Sequence, residues 1–304
     1  MYDLIVIGGG PAGLTAALYA LRNGKKVLVI EKDVFGGQIT NSPRVENIPG
    51  FASISGDEFA DAYLEQVMGQ GGEVRLDAVT GISSDGKSVT VDIEGGDKVV
   101  AKTAVIATGT KHRVLGLEGE EDLIGSGVHF CAVCDGDFYR DKQVCMIGGG
   151  NSAFVEGNLL ADIVEKMIIL QDLPFFTADE KLQQQLLSRE NVETHTGTKI
   201  KALEVEDGKL TGVRYEENGE EKLAKCDGLF LAIGFIPDNG LFENVAGLDE
   251  RGYFDAGESC LTKTPNVFVA GDCRQKTLRQ VTTACADGAI AAIAACDFIN
   301  KIND

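Results

Sequence analysis

No stretch of this 304-residue chain approaches the roughly 18 uninterrupted apolar residues of a membrane-spanning helix, although 44% of its residues are apolar. Basic side chains are also in short supply. The 28 Lys and Arg against 47 Asp and Glu leave a formal charge of −19, which disfavours nucleic acid or an anionic membrane as partner. Histidine occurs at only three scattered positions, 112, 129 and 195, and there is one C-x-x-C, so the donor set of a tetrahedral zinc site is not supplied. Eight cysteines, at 131, 134, 145, 226, 260, 273, 285 and 296, are too sparse for a disulfide framework in a chain this long. Only Met1-Tyr2-Asp3 precedes the first apolar run, with no basic n-region. The expectation is a globular, water-soluble, cytoplasmic protein of about two domains.

What is present is a repeated nucleotide-binding pattern. Leu4 to Ile7 is a short apolar run that ends in Gly8-Gly9-Gly10-Pro11-Ala12-Gly13, and Leu14, Ala17, Leu18 and Leu21 then recur at helical spacing. A second apolar run, Val27 to Ile30, ends on Glu31, about 20 residues past the turn, which completes a βαβ unit. Glycines at 8, 10 and 13 permit a tight turn and let backbone N–H groups approach a pyrophosphate at the helix N-terminus, while Glu31 would accept hydrogen bonds from a ribose.

The pattern recurs at a constant offset of 140. Ile7-Gly8-Gly9-Gly10 corresponds to Ile147-Gly148-Gly149-Gly150, Gly13 to Ala153, and Ile30-Glu31 to Leu170-Gln171. Strand-like runs ending in glycine flank the second unit at Ala104–Gly109 and Leu229–Gly234. A further run, Val267 to Ala270, leads to Gly271-Asp272 and an Ala-rich helical tail without a nucleotide motif of its own. The first domain is therefore expected to be discontinuous, residues 1–112 and 240–304, with the second, 113–239, inserted.

Cys131-Ala132-Val133-Cys134-Asp135-Gly136 has the spacing of a reversible disulfide followed at once by an acid. The other six cysteines lie singly in apolar surroundings and read as small buried hydrophobes.

Taken together, Gly8-x-Gly10-x-x-Gly13, Gly36-Gly37-Gln38, Val45-Glu46-Asn47-Ile48-Pro49-Gly50, the Cys131–Gly136 motif, Gly148-x-Gly150-x-x-Ala153 and Ala270-Gly271-Asp272 with Arg279-Gln280 resemble the low-molecular-weight flavoprotein thioredoxin reductases in order and spacing. The resemblance covers essentially the whole chain. It implies an α/β fold of two Rossmann-like domains of the three-layer ββα/βα type, a homodimer, and FAD in the discontinuous domain. FAD-lining positions carried over are Gly8, Gly10, Pro11, Ala12, Gly13, Glu31, Gly37, Gln38, Asn47, Thr108, Gly109, Asp272, Arg279, Gln280 and Val281. By the same resemblance Cys134 faces the flavin, Cys131 attacks the disulfide of thioredoxin or a thioredoxin-like protein, and Asp135 protonates the leaving thiolate.

One region departs from the family. NADPH-dependent members end the second strand of the inserted domain in His-Arg-Arg, with another Arg a few residues later, to clasp a 2′-phosphate. Here Gln171-Asp172-Leu173 and Thr177 stand at those positions, and an aspartate faces the place of a dianion. Of two adjacent glutamates after the turn only the second, Glu156, is kept, beside Val155. NADPH is accordingly not expected as donor, and Pro174-Phe175-Phe176 offers an apolar patch to fill part of the pocket. NADH stays open, since Asp172 can accept from a ribose diol. The chain most resembles the ferredoxin-dependent flavin thioredoxin reductases of clostridia, in which ferredoxin supplies the electrons. An acidic ferredoxin would need a local basic patch, for which Lys111, Arg113, Arg274, Lys276 and Arg279 are candidates. A non-catalytic flavin redox sensor is the alternative from another class.

Overall fold

The computed structural model describes residues 1–42 and 44–303, and it divides into two compact units. One comprises residues 1–43, 48–111 and 237–304; the other comprises 44–47 and 112–236. The short segment Arg44–Asn47 groups with the second unit, where the expected division ran at 112, and two of its side chains touch residues of that unit. Arg44 lies 5.6 Å from the Phe138 ring, and the Asn47 amide lies 3.8 Å from Cys134 Sγ.

In the first unit the strands Glu73–Leu76, Val27–Glu31, Tyr2–Ile7 and Lys98–Ile106 lie side by side, with Tyr2–Ile7 parallel to both its neighbours. The nine-residue strand Lys98–Ile106 joins the parallel and antiparallel parts of one seven-stranded sheet. Its first half pairs antiparallel with Val89–Ile93, which in turn pairs with Val79–Ser84, and its last residues pair parallel with Val267–Val269. This places the C-terminal strand beside the N-terminal ones, so the unit is built from distant segments.

Helix Pro11–Arg22 runs back over the sheet and packs against the last helix, Val281–Asn303. That last helix is long and apolar enough to cross a membrane by length and composition, with mean hydropathy 1.4. Its inward face is nevertheless built into the core. Ala291, Ala292, Ala295 and Cys296 are buried against Leu14, Ala17 and Leu18, and Gly288 approaches Ala12 so closely that a Cβ there would stand 2.2 Å from the Ala12 carbonyl oxygen. Asp287 on the same helix is buried and ion-paired with Arg274 at 2.8 Å and Lys276 at 2.9 Å, and it accepts from the Gly271 N–H.

The second unit is a five-stranded parallel sheet in the order Val192–Thr196, Lys166–Gln171, Gln143–Ile147, Gly228–Leu231, Val128–His129. A three-stranded antiparallel sheet, Lys199–Glu206, Lys209–Glu217 and Glu220–Lys225, accompanies it. Helix Asn151–Ala161 covers one face through Phe154 and Leu160, in a core shared with Tyr139, Met146 and Phe230. The α/β class and the paired Rossmann-like architecture expected from the motifs are both observed. Of the six cysteines read as buried hydrophobes, five are buried and Cys285 is half-buried.

Candidate active site

Both glycine turns have the backbone their residues require. Gly8 has φ +107° and Gly148 φ +131°, and a Cβ at either would stand 2.3 or 2.5 Å from the carbonyl oxygen of Ala107 or Ala232. The repeat is kept in register: Ile7 pairs with Ile30 and Ile147 with Leu170, while Gly8 N donates to Ile30 O as Gly148 N donates to Leu170 O. The third position separates them. A Cβ on Gly13 would lie 1.9 Å from the Gly8 carbonyl oxygen, whereas the equivalent Ala153 carries a methyl and is buried.

In the first unit Glu31 closes the turn from the strand end. Its Oε2 accepts from Gly9 N at 2.7 Å, and Oε1 accepts from Lys32 N and Asp33 N. Gly37 lies against Gly10, with Gly36 N donating to Gly9 O at 2.8 Å. Gly271 lies against Ala12, which brings Asp272 to the same end of the sheet. Thr108 and Gly109 follow the strand Lys98–Ile106 there, and Gln38 donates to the Thr110 carbonyl. Gln280 and Val281 open the last helix, and Arg279 lies 4.4 Å over the Tyr253 ring.

Two observations test whether these residues fit a flavin dinucleotide. At the N-terminus of helix Pro11–Arg22 the nearest atom a Cβ on Gly10 would meet is the Gly36 carbonyl oxygen, at 3.8 Å, so the backbone there can be closely approached. Asp272 Oδ1 is buried without a hydrogen-bond partner, and burial pushes its carboxyl up to about 6, the state of an acceptor awaiting hydroxyl donors. The residues fit. Asn47, also expected in this set, belongs to the second unit, where its amide lies beside Cys134.

Cys131, the N-cap of the single-turn helix Ala132–Asp135, forms a disulfide with Cys134 within that helix. Cys134 N donates to Cys131 Sγ at 3.2 Å, and Asn47 Nδ2 points at Cys134 Sγ, so each sulfur has an N–H that would stabilise it as thiolate. Asp135 is 8% exposed. Glu156 accepts from Ala132 N at 3.0 Å, and burial, with Asp135 nearby, raises its carboxyl to about 7. The sequence had marked Glu156 only as a surviving family acid. Two residues were missed: His129, 3.1 Å from Asp135, and Tyr139, 2.7 Å from His129. Their only signal was a histidine two positions before the cysteine motif.

A cavity of about 720 Å³ opens over the second turn, with Gly148, Gly149, Gln171, Asp172, Arg113 and Lys199 in its lining. Gln171 is buried against Gly149, with Nε2 3.5 Å from the Phe175 carbonyl. Asp172 is exposed and accepts from Leu173 N. The expected aromatic plug does not form: Phe175 is 58% exposed, and Phe176 packs edge-on against Phe154 in the core. The expected basic patch shrinks as well. Arg274 is 1% exposed, and Lys276 is spent on buried Asp287, which leaves Lys111 and Arg113 exposed.

Residues 2–288 match the family model of the pyridine nucleotide-disulphide oxidoreductases. A thioredoxin reductase of Bacillus subtilis is 37% identical over 306 aligned positions, covering all of this chain and 96% of that protein. The crystal structure of a thioredoxin reductase from Streptococcus pyogenes is 36% identical, with TM-score 0.92 and 99% of each chain covered. One from Giardia duodenalis is 27% identical, with TM-score 0.90. The chain belongs to the pyridine nucleotide-disulphide oxidoreductase family. Within that family it is a flavoprotein disulfide oxidoreductase of the low-molecular-weight thioredoxin reductase group. For such an oxidoreductase the second unit provides a disulfide with an adjacent buried acid, and the first unit provides a glycine turn that suits a dinucleotide.

Proposed function

We propose that this chain reduces the disulfide of thioredoxin or a thioredoxin-like protein, using FAD held by the first unit and electrons delivered by reduced ferredoxin. FAD, when bound, supplies a centre that accepts electrons singly and passes them on in pairs. The first unit holds it through the Gly8–Gly13 turn, Glu31 and Asp272. In the second unit Cys134 takes the reducing equivalents, Cys131 thiolate attacks the partner disulfide, and Asp135 supplies the proton. A homodimer belongs to the same reading and rests on the resemblance, and a cytoplasmic place rests on the lack of a basic n-region before the first apolar run.

The observation that carries the donor assignment is the end of strand Lys166–Gln171. Gln171 and Asp172 stand where a 2′-phosphate needs guanidinium groups. The open 720 Å³ cavity beside them supports a second reading, NADH, whose ribose diol would donate to Asp172.

Anaerobic addition of NADPH, NADH and reduced ferredoxin, each separately, to the oxidised protein distinguishes them through the flavin absorbance. Bleaching by ferredoxin alone is expected. Fast bleaching by NADH selects the second reading, and fast bleaching by NADPH removes both. Cys134→Ser is expected to keep its flavin and lose thioredoxin reduction; retained turnover would defeat the disulfide assignment.

A further inference from the structure

The acid beside the redox pair is not alone. His129, at the end of the strand Val128–His129, is 2% exposed, and its Nδ1 stands 3.1 Å from Asp135 Oδ2. With the disulfide closed this contact is not an aligned hydrogen bond: His129 Nδ1 and Asp135 Oδ1 are both buried without a hydrogen-bond partner. Buried polar atoms without a hydrogen-bond partner are rare in folded interiors and call for an explanation, and catalytic hydrogen bonds often align only during the reaction.

The imidazole is fixed from its other side. Nε2 lies 2.7 Å from the Tyr139 hydroxyl, and the ring stacks on Phe230 at 5.4 Å, with Tyr139 edge-on to the same phenyl ring at 5.5 Å. A hydroxyl that donates to Nε2 puts the ring proton on Nδ1, facing Asp135. A carboxylate that gains a hydrogen bond in its charged form gives up its proton more readily.

We propose that His129 is a positioning residue for the proton transfer: its Nδ1–H, set by Tyr139, receives Asp135 Oδ2 once Oδ1 has given its proton to the departing thiolate. The proposal rests on the disulfide-reductase reading above. In the step itself, Cys131 thiolate bonds to one sulfur of the partner disulfide as the partner's S–S bond breaks. The electron pair leaves on the second partner sulfur, which takes the Asp135 proton. Cys134 thiolate then closes on Cys131, releasing the first partner sulfur as thiolate, and Asp135 is reprotonated from solvent between turnovers.

The test compares two disulfides with flavoprotein reduced beforehand by stoichiometric dithionite. Oxidised thioredoxin releases an ordinary thiolate that needs a proton, whereas 5,5′-dithiobis(2-nitrobenzoate) releases an acidic aromatic thiol that does not. His129→Ala is expected to slow the thioredoxin reaction on the order of 10-fold more than the aromatic disulfide reaction, a part of what general acid catalysis contributes. His129→Asn, which offers an amide N–H near the Nδ1 position, should restore most of that loss. Tyr139→Phe should give a smaller loss with the same selectivity, and it decides the matter if His129→Ala fails to retain flavin. Equal effects on the two disulfides, or no rescue by asparagine, overturn the proposal. Asp135→Asn separates the two levels. If it spares thioredoxin reduction, the reading of Asp135 as acid fails. If it is selectively slow while the His129 and Tyr139 variants are not, only the positioning role fails.

Discussion

The two glycine turns share a backbone and an offset of 140 residues, yet their surroundings differ at each position where a ligand would be recognised. Glu31 ends the first βαβ unit with a carboxylate that ties down three backbone N–H groups; its counterpart Gln171 is neutral, buried and wedged on Gly149. The first turn excludes a methyl at Gly13, and the second accepts Ala153. On the helices that follow, buried Ala16 in the first unit corresponds to Glu156 in the second, where a carboxylate reaches the cysteine helix. The same scaffold thus carries a carboxylate on its turn in one copy and a carboxylate on its cysteine helix in the other. Shared geometry does not imply a shared ligand.

The sharpest way to break this comparison is at Gly13. Gly13→Ala should abolish flavin retention, because the new methyl would push on the Gly8 carbonyl and deform the turn, whereas Ala153→Gly should leave flavin content unchanged; the ratio of flavin to protein absorbance after gel filtration reads both. Next in size is the donor. Asp172→Arg with Leu173→Arg replaces repulsion by attraction at the second strand end and should lower the NADPH concentration for half-maximal flavin bleaching on the order of 100-fold. An unchanged value would mean that these residues do not set donor choice.

The smallest effect concerns Glu156. Burial raises its carboxyl to about 7, so the folded chain holds that proton more tightly than the unfolded chain. The stabilisation is fully present below the unfolded value and is lost as pH rises through about 7. Glu156→Gln removes this dependence. Between pH 5 and 8 the parent should lose ~2–5 °C of Tm relative to the variant, a typical response for a change of this order in a protein of this size. Parallel Tm curves would show that Glu156 does not titrate there.

Much of this was readable in the chain. The turns at Gly8 and Gly148, the strand ends at Glu31 and Gln171, and the Cys131–Cys134 pair are local patterns whose backbone demands are met within a few residues, so spacing alone revealed them. Arg274 and Lys276 looked like surface cations because the acid that pairs with them in the interior, Asp287, stands on a helix 11 or more residues further along the chain. Phe175 and Phe176 looked like a plug because their side chains' directions are set by the core around Phe154 rather than by their own order. His129 and Tyr139 gave no signal beyond a histidine two positions before the cysteine motif, since they meet only where both pack on Phe230.

The sequence by itself determined the two nucleotide-type turns, the redox pair with its acid, and the absence of cations at Gln171-Asp172, since each depends on residue type at fixed short spacing. Tertiary structure alone decided which charges are buried, that Asn47 stands beside Cys134, and that Asp135 has a histidine behind it. Burial and side-chain contact are properties of packing between distant segments, and no local periodicity encodes them.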